Sequence, residues 1–249
     1  MSYQYTTSKL WLVPNALHNG YENLPSLYYN FNIPTHVQTL ACNIKYWFVE
    51  NAKTARLFLK SLNIALKYPI QEHEMLVIGD KANYKNFINK AIQSNEDIGL
   101  LSEAGLPAIA DPGNEIVELA HNLNIEVMPL VGPCSIILAL MGSGLNGQSF
   151  AFNGYMPINL VEKIKAVKES EKQSLRLKQT QICIETPYRN QIFAQSLIDN
   201  LKPSTKMCIA SQISLPAQKI YTQTIDNWRT NNKIINEIHK QPCIFLWLA

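Results

Sequence analysis

The sequence is short of several features, and each shortage narrows the field. Apolar runs such as Ile136–Met141 fall far below the roughly 20 residues of a membrane-spanning helix, so no membrane segment is expected. Met1–Lys9 lacks the charged-then-apolar pattern of a signal peptide. There is no CxxC pair. Cys42, Cys134, Cys183, Cys208 and Cys243 lie far apart, and the last three sit in apolar strand-like runs where a reduced thiol acts as a small hydrophobe. A reducing, cytoplasmic compartment is expected. The five histidines, His18, His36, His73, His121 and His239, show no ligand spacing with each other or with cysteine, so no metal site is expected. No GxGxxG occurs, which argues against a nicotinamide dehydrogenase. Charge of one sign is nearly balanced, 22 Lys and Arg against 19 Asp and Glu. Charge alone therefore neither demands nor excludes an RNA partner.

What is present is ample core material, with 47% hydrophobic residues in 249. Lys9–Val13, stopped by Pro14, reads as a buried first strand, and Lys45–Val49 as a second. Asn51–Leu62 follows with Ala55, Leu59 and Leu62 at helical spacing. Strand Met75–Ile78, helix Tyr84–Gln93, strand Ile98–Leu101, helix Glu115–Asn122 and strand Glu126–Leu130 continue the alternation. A nearly apolar helix, Ser135–Met141, is expected to stop at Gly142 and Gly144. Such alternation implies an α/β fold: a mostly parallel open sheet in an N-terminal domain, 1–150. Ligands in such sheets bind beyond the carboxyl ends of the strands, here the loops after Val13, Val49, Leu101 and Leu130. Phe150–Tyr155 begins the crossover to a smaller α+β C-terminal domain, 151–249. It contains a charged helix at Val161–Lys178, strands at Gln181–Glu185, Lys206–Ser211, Lys219–Thr222 and Cys243–Leu248, and a helix at Arg189–Leu201.

Eight of the ten glycines lie between Gly99 and Gly154. Two small-residue loops follow strands: Ser102-Glu103-Ala104-Gly105-Leu106-Pro107, running on to Asp111-Pro112-Gly113, and Pro129-Leu130-Val131-Gly132-Pro133-Cys134-Ser135. Either alone is ordinary turn chemistry. Two at one sheet edge make a shaped backbone surface suited to a ligand.

SEAGLPAIADPG and PLVGPCS resemble the SDAGTP-x-x-x-DPG and PLPGPCA elements of the tetrapyrrole-methylase superfamily. The branch concerned methylates a cytidine ribose 2′-hydroxyl of 16S ribosomal RNA. The likeness continues in LWLVP at the start, in Phe152–Pro157 (FNGYMP) and in Ile184–Arg189 (IETPYR), so it spans nearly the whole chain. The resemblance implies a bent S-adenosylmethionine in a cleft between the two domains, and a homodimer. It places Pro14, Ser102, Glu103, Ala104, Gly105, Pro107, Gly132, Pro133 and Ser135 on the methionine and ribose side, and Ile184, Glu185 and the stretch around Pro242 on the adenine side. The implied partner is 16S rRNA or the ribosomal subunit.

A sulfonium methyl is already activated, so the protein has mainly to align a nucleophile and exclude water. A ribose hydroxyl must also lose its proton. Glu50, Glu103, Asp111 and Glu185 are the candidate bases, with Glu50 and Glu185 foremost and pairing with Arg189 as the alternative role of Glu185. Glu103 and Asp111 lie in the main loop, with Asp111 in a DPG turn context. The chain departs from the family pattern at Pro14–Gly20, at Glu50–Lys53 and at Ile158–Glu162, where a basic run is absent. These departures leave two other readings open: methylation of a tetrapyrrole carbon, and a cofactor-binding paralogue without turnover.

Overall fold

In the computed structural model, which describes residues 7–17, 32–62, 64–231 and 233–249, the chain divides into two compact units, Met1–Cys134 and Ser135–Ala249. The first unit is an all-parallel sheet of β1 (Lys9–Val13), β2 (Tyr46–Val49), β3 (Glu74–Val77), β4 (Ile98–Leu101) and β5 (Glu126–Pro129), in the order β3-β2-β4-β1-β5. Helix α1 (Thr35–Cys42) lies between β1 and β2 in sequence. α2 (Ala52–Ser61), α3 (Lys81–Gln93) and α4 (Asn114–Asn122) each follow the next strand.

This order sends the first two crossovers toward the β3 edge and the next two back. Right-handed crossovers running opposite ways cover opposite faces of a sheet, and the packing shows it. α1 and α2 bury Val37, Ala41, Phe58 and Leu59 with Val13, Trp47 and Val49. α3 and α4 bury Tyr84, Ile88, Ile116 and Ala120 with Leu10, Phe48 and Leu100. Alternate residues of one strand thus serve two cores, as period 2 requires. The direction changes between β2 and β4, and their carboxyl ends are where such a sheet binds ligands. Gly99 on β4 is required here: a Cβ would lie 2.4 Å from Trp47 Cε3, and that fully buried indole is fixed by an N–H···O bond to Ile44.

The second unit carries β6 (Phe150–Tyr155), β7 (Thr180–Ile184), β8 (Lys206–Ser211), β9 (Lys219–Thr224) and β10 (Cys243–Leu248), in the order β6-β7-β10-β8-β9. Only β6 and β7 pair in parallel, so this is the mixed sheet expected of an α+β domain. Its helices are α5 (Ser135–Ser143), α6 (Leu160–Leu177), α7 (Asn190–Asn200), α8 (Ile225–Thr230) and α9 (Lys233–Glu237). Val167, Phe193, Leu197, Trp228, Phe245 and Trp247 form its core.

Two details differ from the sequence reading. The units divide after Cys134 rather than at 150, because α5 packs on β8, β9 and β10 of the second sheet. α5 also runs through Gly142 to Ser143 instead of stopping there. Gly142 is a packing glycine, since a Cβ would meet Ile220 Cδ1 at 2.5 Å. All five cysteines are free, and burial pushes the Cys183 thiol up to about 12 and those of Cys208 and Cys243 to about 11. No described helix is long and apolar enough to cross a membrane.

Candidate functional site

Of the five loops that leave the carboxyl edge of the parallel sheet, three are tied together. β1 ends at Val13 and the chain turns at Pro14 into Asn15, which is fully buried. Asn15 forms an isolated antiparallel bridge to Gly105, with N–H···O distances of 2.8 and 3.1 Å in the two directions. Its side-chain amide donates to the carbonyls of Ser102 (3.1 Å) and Glu103 (2.9 Å), while its Oδ1 accepts from the Ala16 amide. One asparagine thus satisfies backbone groups that a buried loop could not leave unpaired. The β5 loop joins through contact: a Cβ on Gly132 would stand 2.1 Å from Pro14 Cβ, and the Gly105 Cβ position is 3.6 Å from the Pro133 carbonyl.

β2 supplies a fourth loop. Asn51 caps α2 by accepting from Lys53 and Thr54 amides, which leaves Glu50 at the strand end. Glu50 Oε1 accepts the backbone N–H of Glu103 at 2.9 Å. The Thr54 hydroxyl lies against both the Asn51 carbonyl and the Glu103 carboxylate. Asp111 completes an acidic group: desolvation pushes its carboxyl up to about 7, helped by the negative charges of Glu50 and Glu103.

The Ser102–Gly113 loop is strained. Gly105 and Gly113 have φ of 72° and 132°, and Ala108 and Ala110 have φ of 64° and 61°. Each alanine held left-handed costs about 1 kcal/mol, tolerated because Asn15 and Glu50 clamp the loop from both sides. Strain of this kind gathers at ligand sites. Exposure points to the same edge. In the first unit's described residues the large hydrophobics most open to solvent are Val77 and Val131, at or just beyond the ends of β3 and β5, and Ile109, within the loop that follows β4.

In the second unit, Ile184, Glu185 and Pro242 also meet at one sheet edge. Ile184 pairs with Ile244 across β7 and β10, the Lys240 amide donates to the Pro187 carbonyl, and the Pro242 carbonyl accepts from Gln212. The Glu185 side chain is 1% exposed and ion-paired to Arg189, whose Nη2 and Nε reach Oε1 at 2.6 and 3.0 Å. The Thr186 amide donates to the same oxygen at 2.7 Å. Three donors on one buried oxygen describe a carboxylate that holds a loop in place rather than one presented to a substrate.

The structure therefore brings together Pro14, Glu50, Ser102, Glu103, Ala104, Gly105, Pro107, Gly132 and Pro133 in the first unit. Ile184, Glu185 and Pro242 share an edge of the second unit, and Ser135 begins α5. His18, Asn19 and Gly20 lie outside the described residues. Sequence reasoning missed Asn15 and Thr54. A buried amide directly after a strand and its proline was the available signal for the first; nothing local marked the second. Among the described residues no group of three His, Cys, Asp or Glu side chains is arranged to hold a metal ion.

No protein-family model matches the chain. Two solved structures share its fold: uroporphyrin-III C-methyltransferase from Thermus thermophilus (TM-score 0.53, 14% identity, 97% of this chain and 94% of that one) and the cobalamin biosynthetic enzyme cobalt precorrin-4 methyltransferase (TM-score 0.56, 12% identity, 97% and 95%). The fold is that of the tetrapyrrole methyltransferases. Among curated proteins, the ribosomal RNA small subunit methyltransferase I of Hydrogenobaculum sp. (strain Y04AAS1) is 30% identical over 208 residues, 83% of this chain and 81% of the relative. The protein of that name from Vibrio cholerae is 30% identical over 167 residues, and the match spans 67% of this chain but only 54% of the relative. The chain belongs to the ribosomal RNA small subunit methyltransferase I family.

Proposed function

We propose that the chain transfers a methyl group from S-adenosylmethionine to a ribose 2′-hydroxyl of small-subunit ribosomal RNA, as a homodimer in the cytoplasm. The observation that supports this most is the clamping of the β1, β2 and β4 loops at the sheet's direction change, by Asn15–Gly105 and by Glu50–Glu103. Open-sheet enzymes bind nucleoside ligands at such a point. The residues there suit the cofactor: glycine and alanine backbone permits close approach, exposed Ile109 and Val131 offer apolar cover, and carboxylates complement a sulfonium and a ribose.

When bound, the cofactor supplies a methyl carbon that needs no further activation. The chain's own work is alignment, exclusion of water and acceptance of a proton. Glu50 is oriented by the Glu103 amide, and Asp111, held at about 7, has the proton affinity best matched to neutral pH. Pro14, the Ser102–Pro107 loop, Gly132 and Pro133 are the cofactor contacts of the first unit. In the second unit the Glu185–Arg189 ion pair fixes the loop after β7. Likeness to porphyrin and corrin enzymes at 12–14% identity speaks for the fold alone and does not favour a tetrapyrrole acceptor.

The test is transfer of radiolabelled methyl from S-adenosylmethionine to undermethylated small ribosomal subunits. Label in RNA, located at a ribose oxygen by nuclease-resistant dinucleotide, is the expected result. Absence of label with cofactor tightly bound contradicts the acceptor assignment.

A further inference from the structure

The two units carry opposite charge. Residues 1–134 hold 9 Lys and Arg against 12 Asp and Glu, a net −3, and residues 135–249 hold 13 against 7, a net +6. α6 carries five of those 13 cations and three of the seven acids, but sorts them onto different faces. Its inner face is fixed: Val167, Ser170, Glu171 and Ser174 are buried, the Glu171 carboxylate accepts from the Lys202 amide and the Thr205 hydroxyl, and Ser174 Oγ bonds Gln179 and Ala249. On the outer face stand Lys165, Lys168, Lys172 and Arg176, all exposed, within about 80° of arc and rising along about 16 Å of axis.

This stripe does nothing for the helix itself. Lys165/Lys168, Lys168/Lys172 and Lys172/Arg176 are like-charge neighbours at three- and four-residue spacing, which weakens a helix. Among the described residues only Lys172 has an ion-pair partner, Glu169 at 3.4 Å, and both are more than 70% exposed, so the pair is screened. Glu162 and Glu169 border the stripe on one side without neutralising it. A row of mobile cations a few ångströms apart, on a rigid rod with an independent buried face, complements a strand of phosphates.

We propose that the outer face of α6 docks the sugar-phosphate backbone of the RNA substrate, through Lys165, Lys168, Lys172 and Arg176. This rests on the RNA reading above and adds where the RNA is held. The contact is with phosphates, so it sets affinity and register but carries no sequence preference.

The experiment compares the protein with a variant carrying Lys165→Gln, Lys168→Gln, Lys172→Gln and Arg176→Gln, using a fluorescent small-subunit rRNA transcript over a salt series. A control replaces four exposed lysines elsewhere, Lys60, Lys85, Lys206 and Lys233, by Gln. Thermal unfolding and S-adenosylhomocysteine affinity are measured on all three proteins. The proposal expects the stripe variant to bind RNA at least tenfold more weakly at low salt. The slope of log affinity against log salt should be shallower by about 3, since each phosphate contact contributes roughly 0.7–0.9. Its fold and cofactor affinity should be unchanged, and the control should bind RNA as the parent does. An unchanged slope in the stripe variant, with the parent still methylating subunits, overturns the docking site and leaves the function standing. An equal loss in the control overturns the location. No RNA binding or transfer by the parent overturns both.

Discussion

Glu50 and Glu103 are joined at 2.9 Å, side chain to backbone N–H, across the carboxyl ends of β2 and β4. Those are the neighbouring strands between which the crossovers reverse direction. A carboxylate used as a backbone acceptor at that point fixes the shape of the Ser102–Gly113 loop. Glu50→Ala removes a charge-assisted hydrogen bond of roughly 1.5–3 kcal/mol. We expect S-adenosylhomocysteine affinity to fall about tenfold or more, equivalent to at least ~1.4 kcal/mol. Glu50→Gln keeps an oxygen acceptor and should fall much less. Equal losses in the two variants would show that the charge, not the hydrogen bond, is what the loop uses.

Asp111 gives the pH signature. Its carboxyl is raised in the folded protein from 3.8 to about 7, first by desolvation and then by Glu50 and Glu103. The folded state therefore keeps a proton that the unfolded chain releases, and stability falls as pH rises from about 4 to about 7, then levels. Asp111→Asn cannot ionise. The difference in Tm between variant and parent should grow across that window and flatten above it. A difference independent of pH contradicts the assignment.

Gly132→Ala tests the meeting of the β1 and β5 loops. The new methyl would stand 2.1 Å from Pro14 Cβ, and such overpacking typically costs about 1–3 kcal/mol. Urea unfolding should show that loss, together with weaker cofactor binding. Gly147→Ala, with nothing within 4 Å of its Cβ, is the control and should change neither.

The Glu185–Arg189 pair separates a structural carboxylate from a catalytic one. Arg189→Ala leaves a carboxylate that is 1% exposed with only the Thr186 amide for support. Removing one partner of a buried pair costs about 3–5 kcal/mol. Denaturant titration should show that loss. Methyl transfer measured where the variant remains folded should be affected far less than a lost base would require.

Much of this was legible in the sequence because the local signals agree. Lys9–Val13, Ile98–Leu101, Lys206–Ser211 and Cys243–Leu248 are strands at the bounds their apolar runs suggest. The glycines at 105 and 132 marked loops that do converge. Helix α3 begins at Lys81, three residues before its first apolar position, since a polar first turn leaves no periodic trace. α1 was not read at all: eight residues with buried Val37 and Ala41 are too few to establish a period. Gly142 was read as a stop because packing against Ile220, 78 residues away, has no local signature. The same reason hides the acidic group. Glu50 stands 53 residues before Glu103, and Asp111, in the same loop as Glu103, reads first as a turn residue until the fold places both charges beside it.

The most direct test of the account is calorimetric titration of the intact protein with S-adenosylhomocysteine. Saturable binding with one site per chain is expected, weakened by Asn15→Ala, which unfastens the loops after β1 and β4. A folded protein that gives no binding heat at millimolar ligand, or an Asn15 variant with undiminished affinity, would contradict it.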